Sequence, residues 1–215
     1  LQLGLPSAWH LIKSAAFEED KPALMSATRK IGIFGGTFDP VHLGHVYLAS
    51  LAKESLGLDE VRFIPCQISP HKTNTAPASG DDRCEMLRSA TADLPWAVID
   101  ESELQQSGPS YSYQTAEALA AEFPNAQLFW IMGSDQWEAL PRWKNPDRLA
   151  KLVEFIVLTR GEAPQPRAGY RLHFISGEHP ASATAIRNAI SSDATPPDWL
   201  HPDVAKWISE KGLYR

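Results

Sequence analysis

Cysteine is scarce. Cys66 and Cys84 are the two thiols among 215 residues, which does not suggest a disulfide framework or a zinc site and fits a reducing compartment. Long hydrophobic runs are missing too, and no stretch approaches the length of a membrane span. Positive charge is in deficit. Twenty Lys and Arg against 26 Asp and Glu leave a net charge of −6, which argues against a broad nucleic-acid surface and confines any basic site to a local patch. There is no internal repeat. The phosphate-loop pattern GxxxxGK[ST], the dinucleotide fingerprint GxGxxG and the zincin HExxH are all lacking. What is present is ordinary length and 43% hydrophobic content, enough for a globular domain with a sizeable core.

One stretch organises the chain: IGIFGGTFDPVHLGH, from Ile31 to His45. Its apolar start reads as a buried strand. Gly35 and Gly36 follow, residues that permit a tight turn and a close approach of backbone to a ligand. Thr37-Phe38-Asp39-Pro40 continues the turn, and a helix is expected from about Val46, running to Leu56 and stopped by Gly57. The first turn of a helix offers free N–H groups and the positive end of the dipole, so it favours anions. His42 and His45 are three apart and share a helix face. Two imidazoles able to carry a proton, beside that helix start, make a site for a phosphate chain.

GGTFDPVHLGH resembles the signature of the nucleotidyltransferases that carry the (H/T)xGH motif, and within them it is most similar to the bacterial nicotinate-nucleotide adenylyltransferases. A second segment, Ser182-Ala183-Thr184-Ala185-Ile186-Arg187, opens a helix with hydroxyls in its first turn and an arginine three beyond Thr184. Hydroxyls and N–H groups at a helix start bind phosphate, and a guanidinium adds a bidentate fork. This segment resembles the second signature of the superfamily, with Ala183 where serine is usual. The resemblance covers about residues 30–215. It implies that His42, His45 and Arg187 are catalytic. It also implies an ATP site at Gly35, Gly36, Thr37, Phe38, Lys72, Gly133, Asp135, Ser182 and Thr184.

Between the two signatures the hydrophobic pattern predicts alternating strands and helices. Strands are expected at 61–65, 96–100, 126–132, 153–159 and 170–176. Asp81 is expected to cap a helix reaching about residue 94, Pro146 to open one after Asn145, and His201-Pro202-Asp203 to cap the last, over 204–211. A polar, proline-containing loop over 69–80 carries His71 and Lys72. The alternation predicts an α/β fold, Rossmann-like and doubly wound, its sheet mostly parallel with helices on both faces. Residues 1–29 show mixed charge and no clean periodicity. They read as an N-terminal extension to a domain over 30–215, either dispensable before Met25 or carrying a short surface helix over 11–19.

Acceptor residues also follow from the resemblance. Pro109-Ser110-Tyr111-Ser112 is similar to the family's PSYT segment, so Tyr111 and Ser112 are expected at the acceptor, with Ser112 doubling as a helix cap. Trp137 to Trp143 is similar to the stretch that in the family closes with a tryptophan packed on the nicotinate ring, and an indole face suits an electron-poor pyridinium. Backbone N–H groups around Trp143 and Lys144 are expected to receive the acceptor's carboxylate. The implied reaction joins ATP and nicotinate mononucleotide, with Mg²⁺ arriving on ATP, no protein metal cage, no nucleic-acid or membrane partner, and a cytoplasmic setting. Phosphopantetheine as acceptor, a cytidylyl donor, a binding protein with dead catalysis and a tRNA synthetase fragment are the alternatives. The PSYS and DQW segments argue against the first two, the intact histidines and arginine against the third, and length and acidity against the last.

Overall fold

A computed structural model describes residues 28–68, 77–159, 161–196 and 198–215. Six strands, β1 (Lys30–Gly36), β2 (Glu60–Pro65), β3 (Ala97–Ile99), β4 (Gln127–Gly133), β5 (Val153–Thr159) and β6 (Leu172–Ser176), form one sheet in the order β3-β2-β1-β4-β5-β6. Every neighbouring pair is parallel. The expected mostly parallel sheet is therefore wholly parallel among the described residues. The connections run outward from β1 in one direction and outward from β4 in the other, so a crevice opens where the winding reverses.

A parallel sheet covered on both faces demands strands that are apolar throughout. β5 supplies this in VEFIVLT, every residue of which is buried. The helices are α1 (Leu43–Leu56), α2 (Gly80–Thr91), α3 (Ser112–Glu122), α4 (Ser134–Ala139), α5 (Pro146–Leu152), α6 (Ala183–Ser191) and α7 (Pro202–Lys211). They divide between the two faces. Ala49, Ala52, Met86, Leu87, Ile186, Val204 and Ile208 pack with Val61, Phe63 and Phe129 on one side. Tyr113, Ala116, Leu119, Trp137 and Leu149 pack with Ile33, Trp130 and Phe155 on the other. Full burial of each of the larger of these side chains stabilises by about 1.5–3 kcal/mol, which secures the strand ends that carry the site.

Three helix starts differ from expectation. α1 begins at Leu43, not at about Val46, so His42 is its N-cap and His45 lies in its first turn. The other two differ in their caps. Ser79, not Asp81, caps α2, its hydroxyl accepting the Asp82 N–H at 3.1 Å. Ser112 is the first residue of α3 and Tyr111 the capping position, with no side-chain cap bond. In both cases the chain turns into the helix earlier or later than its polar residues suggest. Lys72, His71, Arg160 and the possible helix over 11–19 lie outside the described residues. Among the described residues no helix is long and apolar enough to cross a membrane.

Candidate active site

Because all strands are parallel, Gly36, Pro65, Gly133, Thr159 and Ser176 end on one edge of the sheet. Gly35 and Gly36 close β1 there, and the motif turn follows. Phe38 adopts a left-handed φ of 50° and drives its ring inward. The ring is 2% exposed and lies 5.6 Å from that of Phe34, 5.9 Å from Phe63 and 5.1 Å from His45. Its side chain is therefore a core wedge beneath His45, which leaves the backbone of Phe38 as the part that can face a ligand. Thr37 lies beside it, its carbonyl accepting from Arg83 at 2.9 Å.

His42 stands at the N-cap of α1 in extended geometry, and its N–H donates to His45 Nδ1 at 3.2 Å. The two rings stack with centroids 3.7 Å apart. In neutral His45 this leaves Nε2 as the donor. A third imidazole approaches from the segment between β6 and α6. A Cβ added at Gly44 would stand 3.1 Å from His42 Nδ1 and 3.2 Å from His179 Nδ1, so the glycine between the histidines makes room for two rings. His42 is 8% exposed, and its Nδ1 has no hydrogen-bond partner among the described residues. Burial first, and then His179, lower its pKa to about 4. So His42 is neutral at neutral pH, where the sequence suggested two readily protonated rings. The helix start is less open than expected as well, since the Leu43 N–H goes to the Trp199 carbonyl at 2.8 Å.

The lowered pKa has a consequence for stability. Between the unfolded value near 6.5 and the folded value of about 4, the unfolded chain binds more protons. Stability is therefore lost as pH falls from 6.5 toward 4 and this contribution levels off below, with a span of about 3 kcal/mol at most. Denaturant titrations at several pH values should show this loss in the wild type and its near absence in His42→Asn. Parallel pH curves for the two proteins would refute the assignment to His42.

The second signature docks onto the first. Ser182 caps α6, its hydroxyl accepting the Ala185 N–H at 3.4 Å, and Thr184 is exposed in the first turn. Arg187 donates through Nη1 to the Asp39 carbonyl at 2.6 Å and through Nη2 to Thr184 Oγ1 at 3.5 Å. At the end of β4, Asp135 lies exposed in the first turn of α4, with Gln136 Nε2 on its Oδ2 at 2.8 Å. A Cβ at Gly133 would come within 2.7 Å of Asp135 Oδ1, so a side chain there would push that exposed carboxylate aside.

The expected acceptor residues gather on the other side of the crevice. Ser110 donates its N–H to the Ile68 carbonyl at 3.1 Å and accepts the Gln67 N–H on its hydroxyl at 3.1 Å, tying their segment to the end of β2. Buried Glu103 accepts from Thr115 Oγ1 at 2.5 Å, and burial raises its pKa although hydrogen bonds from Thr115 and Ser110 oppose this. Lys144 places its ammonium 5.4 Å from the Tyr111 ring centre. Trp143 is half-buried, edge-on to Trp130 with centroids 6.3 Å apart. Ser112, just after Tyr111, is also half-buried. Among the described residues no group of three His, Cys, Asp or Glu side chains is placed to hold a metal ion.

Sequence reasoning passed over several residues of this edge. Arg83 is 2% exposed, and its guanidinium serves the carbonyls of Thr37 and Cys66, each at 2.9 Å, and of Ala78 at 3.0 Å. A signal existed, because Arg83, Leu87 and Thr91 lie at helical spacing on a buried face. Asp39 reads in sequence only as a turn residue, and Tyr214 carries no local signal. His179 and Glu103 had no local signal.

Residues 33–193 match the cytidylyltransferase-like family, and the chain belongs to it. The nicotinate-nucleotide adenylyltransferase of Bacillus subtilis is 41% identical over 191 residues, spanning 86% of this chain and 98% of that protein. Within the family the chain is a member of the nicotinate-nucleotide adenylyltransferases. The fold agrees with that of Plasmodium falciparum nicotinic acid mononucleotide adenylyltransferase. Its complex with NaAD gives a TM-score of 0.72 at 18% identity, covering 86% of this chain and 97% of that one, and its complex with APC gives 0.70.

Proposed function

We infer that the domain over 30–215 transfers AMP from ATP to nicotinate mononucleotide, giving deamido-NAD (nicotinate adenine dinucleotide) and pyrophosphate, a step of NAD biosynthesis. The observation that carries this reading is the docking of Arg187 on the Asp39 carbonyl of the motif turn, which joins the two signatures where the sheet reverses its winding. The 41% identity to the Bacillus subtilis enzyme supports the acceptor.

An oxygen of the acceptor's phosphate attacks the α-phosphorus, the bond from that phosphorus to the bridging oxygen breaks, and pyrophosphate leaves. The nucleophile is already an anion, so no strong base is required. The protein aligns two negative groups and stabilises the charge that grows on the α-phosphate and leaving group. In this reading His42 and His45 donate to the phosphates beside the positive end of α1, and Arg187 faces them from α6. Ser182, Thr184, Gly35, Gly36, Thr37 and the backbone of Phe38 line the phosphate path, and the resemblance assigns Lys72, which lies outside the described residues, to the same phosphates. Gly133 and Asp135 hold the ribose. Tyr111, Ser112, Trp143 and Lys144 receive the acceptor. ATP enters as its magnesium complex, the ion carried on phosphate oxygens and water.

Pyrophosphate release measured with ATP and Mg²⁺ in the presence of nicotinate mononucleotide, nicotinamide mononucleotide or phosphopantetheine tests the proposal. Strong preference for the nicotinate compound is expected. Turnover with phosphopantetheine alone would overturn the acceptor, and silence with all three would overturn the reaction. Trp143→Ala should raise KM for nicotinate mononucleotide about tenfold, the worth of a lost aromatic contact, and leave KM for ATP unchanged. A variant whose melting temperature falls while both KM values hold would make Trp143 a core residue only.

A further inference from the structure

The two signatures and the last residues of the chain meet at one carboxylate. Asp39 Oδ1 accepts from the Tyr214 hydroxyl at 2.7 Å and from the Ala78 N–H at 3.0 Å. Asp39 Oδ2 stands 3.9 Å from Arg187 Nη1, which is bonded instead to the Asp39 backbone carbonyl at 2.6 Å. So this carboxylate lies beside the guanidinium without closing a hydrogen-bonded pair on it. The two donors on Oδ1 hold it in that orientation.

Tyr214 is held for this contact. Gly212 ends α7 at a left-handed φ of 61°, and Tyr214 itself takes a φ of 67°. A bulky residue pays for that conformation and keeps it only where its surroundings fix it. Here the ring packs against the core on the α1 and α7 face while the hydroxyl reaches Asp39. Burial and the neighbouring Asp39 push the phenol well above its ordinary range, so it remains a donor.

We propose that Tyr214 is a positioning residue for ATP: its hydroxyl, with the Ala78 N–H, holds the Asp39 carboxylate short of a hydrogen bond to Arg187, so that the guanidinium stays available to the triphosphate. Arginine forms its strongest hydrogen bonds with carboxylates and phosphates, and the two compete for the same N–H groups. Without the hydroxyl, the Ala78 N–H alone holds Oδ1, and the Asp39 carboxylate can shift the short distance needed to close on Arg187. The triphosphate must then displace an internal anion. The proposal rests on reading this edge as an ATP site.

The test uses Tyr214→Phe, which keeps the ring and removes one O–H, and the double variant Tyr214→Phe/Asp39→Asn. ATP binding is measured directly by calorimetry, alongside steady-state kinetics and thermal melting. Tyr214→Phe should weaken ATP binding and raise KM for ATP about tenfold, the worth of one hydrogen bond to a charged group, with KM for nicotinate mononucleotide within about twofold. Adding Asp39→Asn should bring ATP affinity back toward wild type, because an amide carries no charge to compete. A purely structural role predicts the opposite, a double variant worse than the single. Unchanged ATP affinity in Tyr214→Phe, equal rises in both KM values, or a double variant that binds ATP more weakly would each overturn the proposal. A wild type that binds ATP yet turns over none of the three acceptors would instead count against the functional reading, while the ATP titrations still decide the role of Tyr214.

Discussion

Alanine in place of His45 is expected to lower kcat about 10²- to 10³-fold while ATP affinity changes by only a few fold. The reason is preorganisation. The His42 N–H fixes His45 Nδ1 at 3.2 Å, the His42 ring covers one face at 3.7 Å, and the Phe38 ring abuts it at 5.1 Å. The ring cannot turn without losing these contacts, so Nε2 presents its proton in one direction. A donor held this way costs no reorganisation when charge builds in the transition state. Ground-state ATP, gripped also by Arg187 in our reading, loses little when it is removed. Single-turnover rates and direct ATP titration separate the two effects. A variant with unchanged kcat would remove His45 from the mechanism. His45→Gln, whose amide N–H extends toward the same region, should recover part of the rate.

Arg83→Met is expected to cost about 3–5 kcal/mol of stability, which at this chain length lowers the melting temperature by about 10 °C. The guanidinium satisfies three backbone carbonyls, those of Thr37, Cys66 and Ala78. A thioether fills comparable volume and offers no donor, so one buried acceptor and two part-buried ones lose their partner at once. These carbonyls belong to the motif turn, the end of β2 and the approach to α2. The loss should therefore also loosen the turn that carries Asp39 and the two histidines. Calorimetric melting gives the first effect, and kcat measured well below the melting temperature gives the second. Arg83→Lys should recover only part of the stability, because one ammonium on a flexible stem cannot span three carbonyls set by a planar fork. A melting temperature within about 2 °C of wild type in Arg83→Met would show that the carbonyls find other donors.

Much of the fold could be read from local pattern. β5 was legible because burial on both faces leaves a run of seven residues almost without polar interruption, and α1 because Gly57 stops it in a left-handed cap. The motif turn and Ser182–Arg187 could be placed at one edge, since parallel strands send all their carboxyl ends the same way. Other features depend on distant residues. Phe38 sits in a polar-looking turn, and only the nearby Phe34 and Phe63 rings make it core. His42 owes its neutrality to burial and to His179, more than 130 residues away. Asp39 looked like a turn residue because its partners, Tyr214 and Arg187, are remote in sequence. Helix starts failed on a smaller scale. Ser79 and Asp81 are near-equivalent caps by composition, and Ser112 is a better one than Tyr111, yet the backbone path decides in both places.

The bond from Arg187 to Asp39 closes a loop of 148 residues, and that from Tyr214 to the same residue one of 175. The histidine half of the site is therefore made early on the ribosome and waits for most of the chain before its cationic half arrives. Until then β1 lacks its β4 neighbour, since Gln127–Gly133 is synthesised about a hundred residues later. A nascent chain in that interval exposes an apolar central strand, and closing loops of such length is slow. The same long-range stitching that assembles the site makes the unfinished chain a natural client for chaperones.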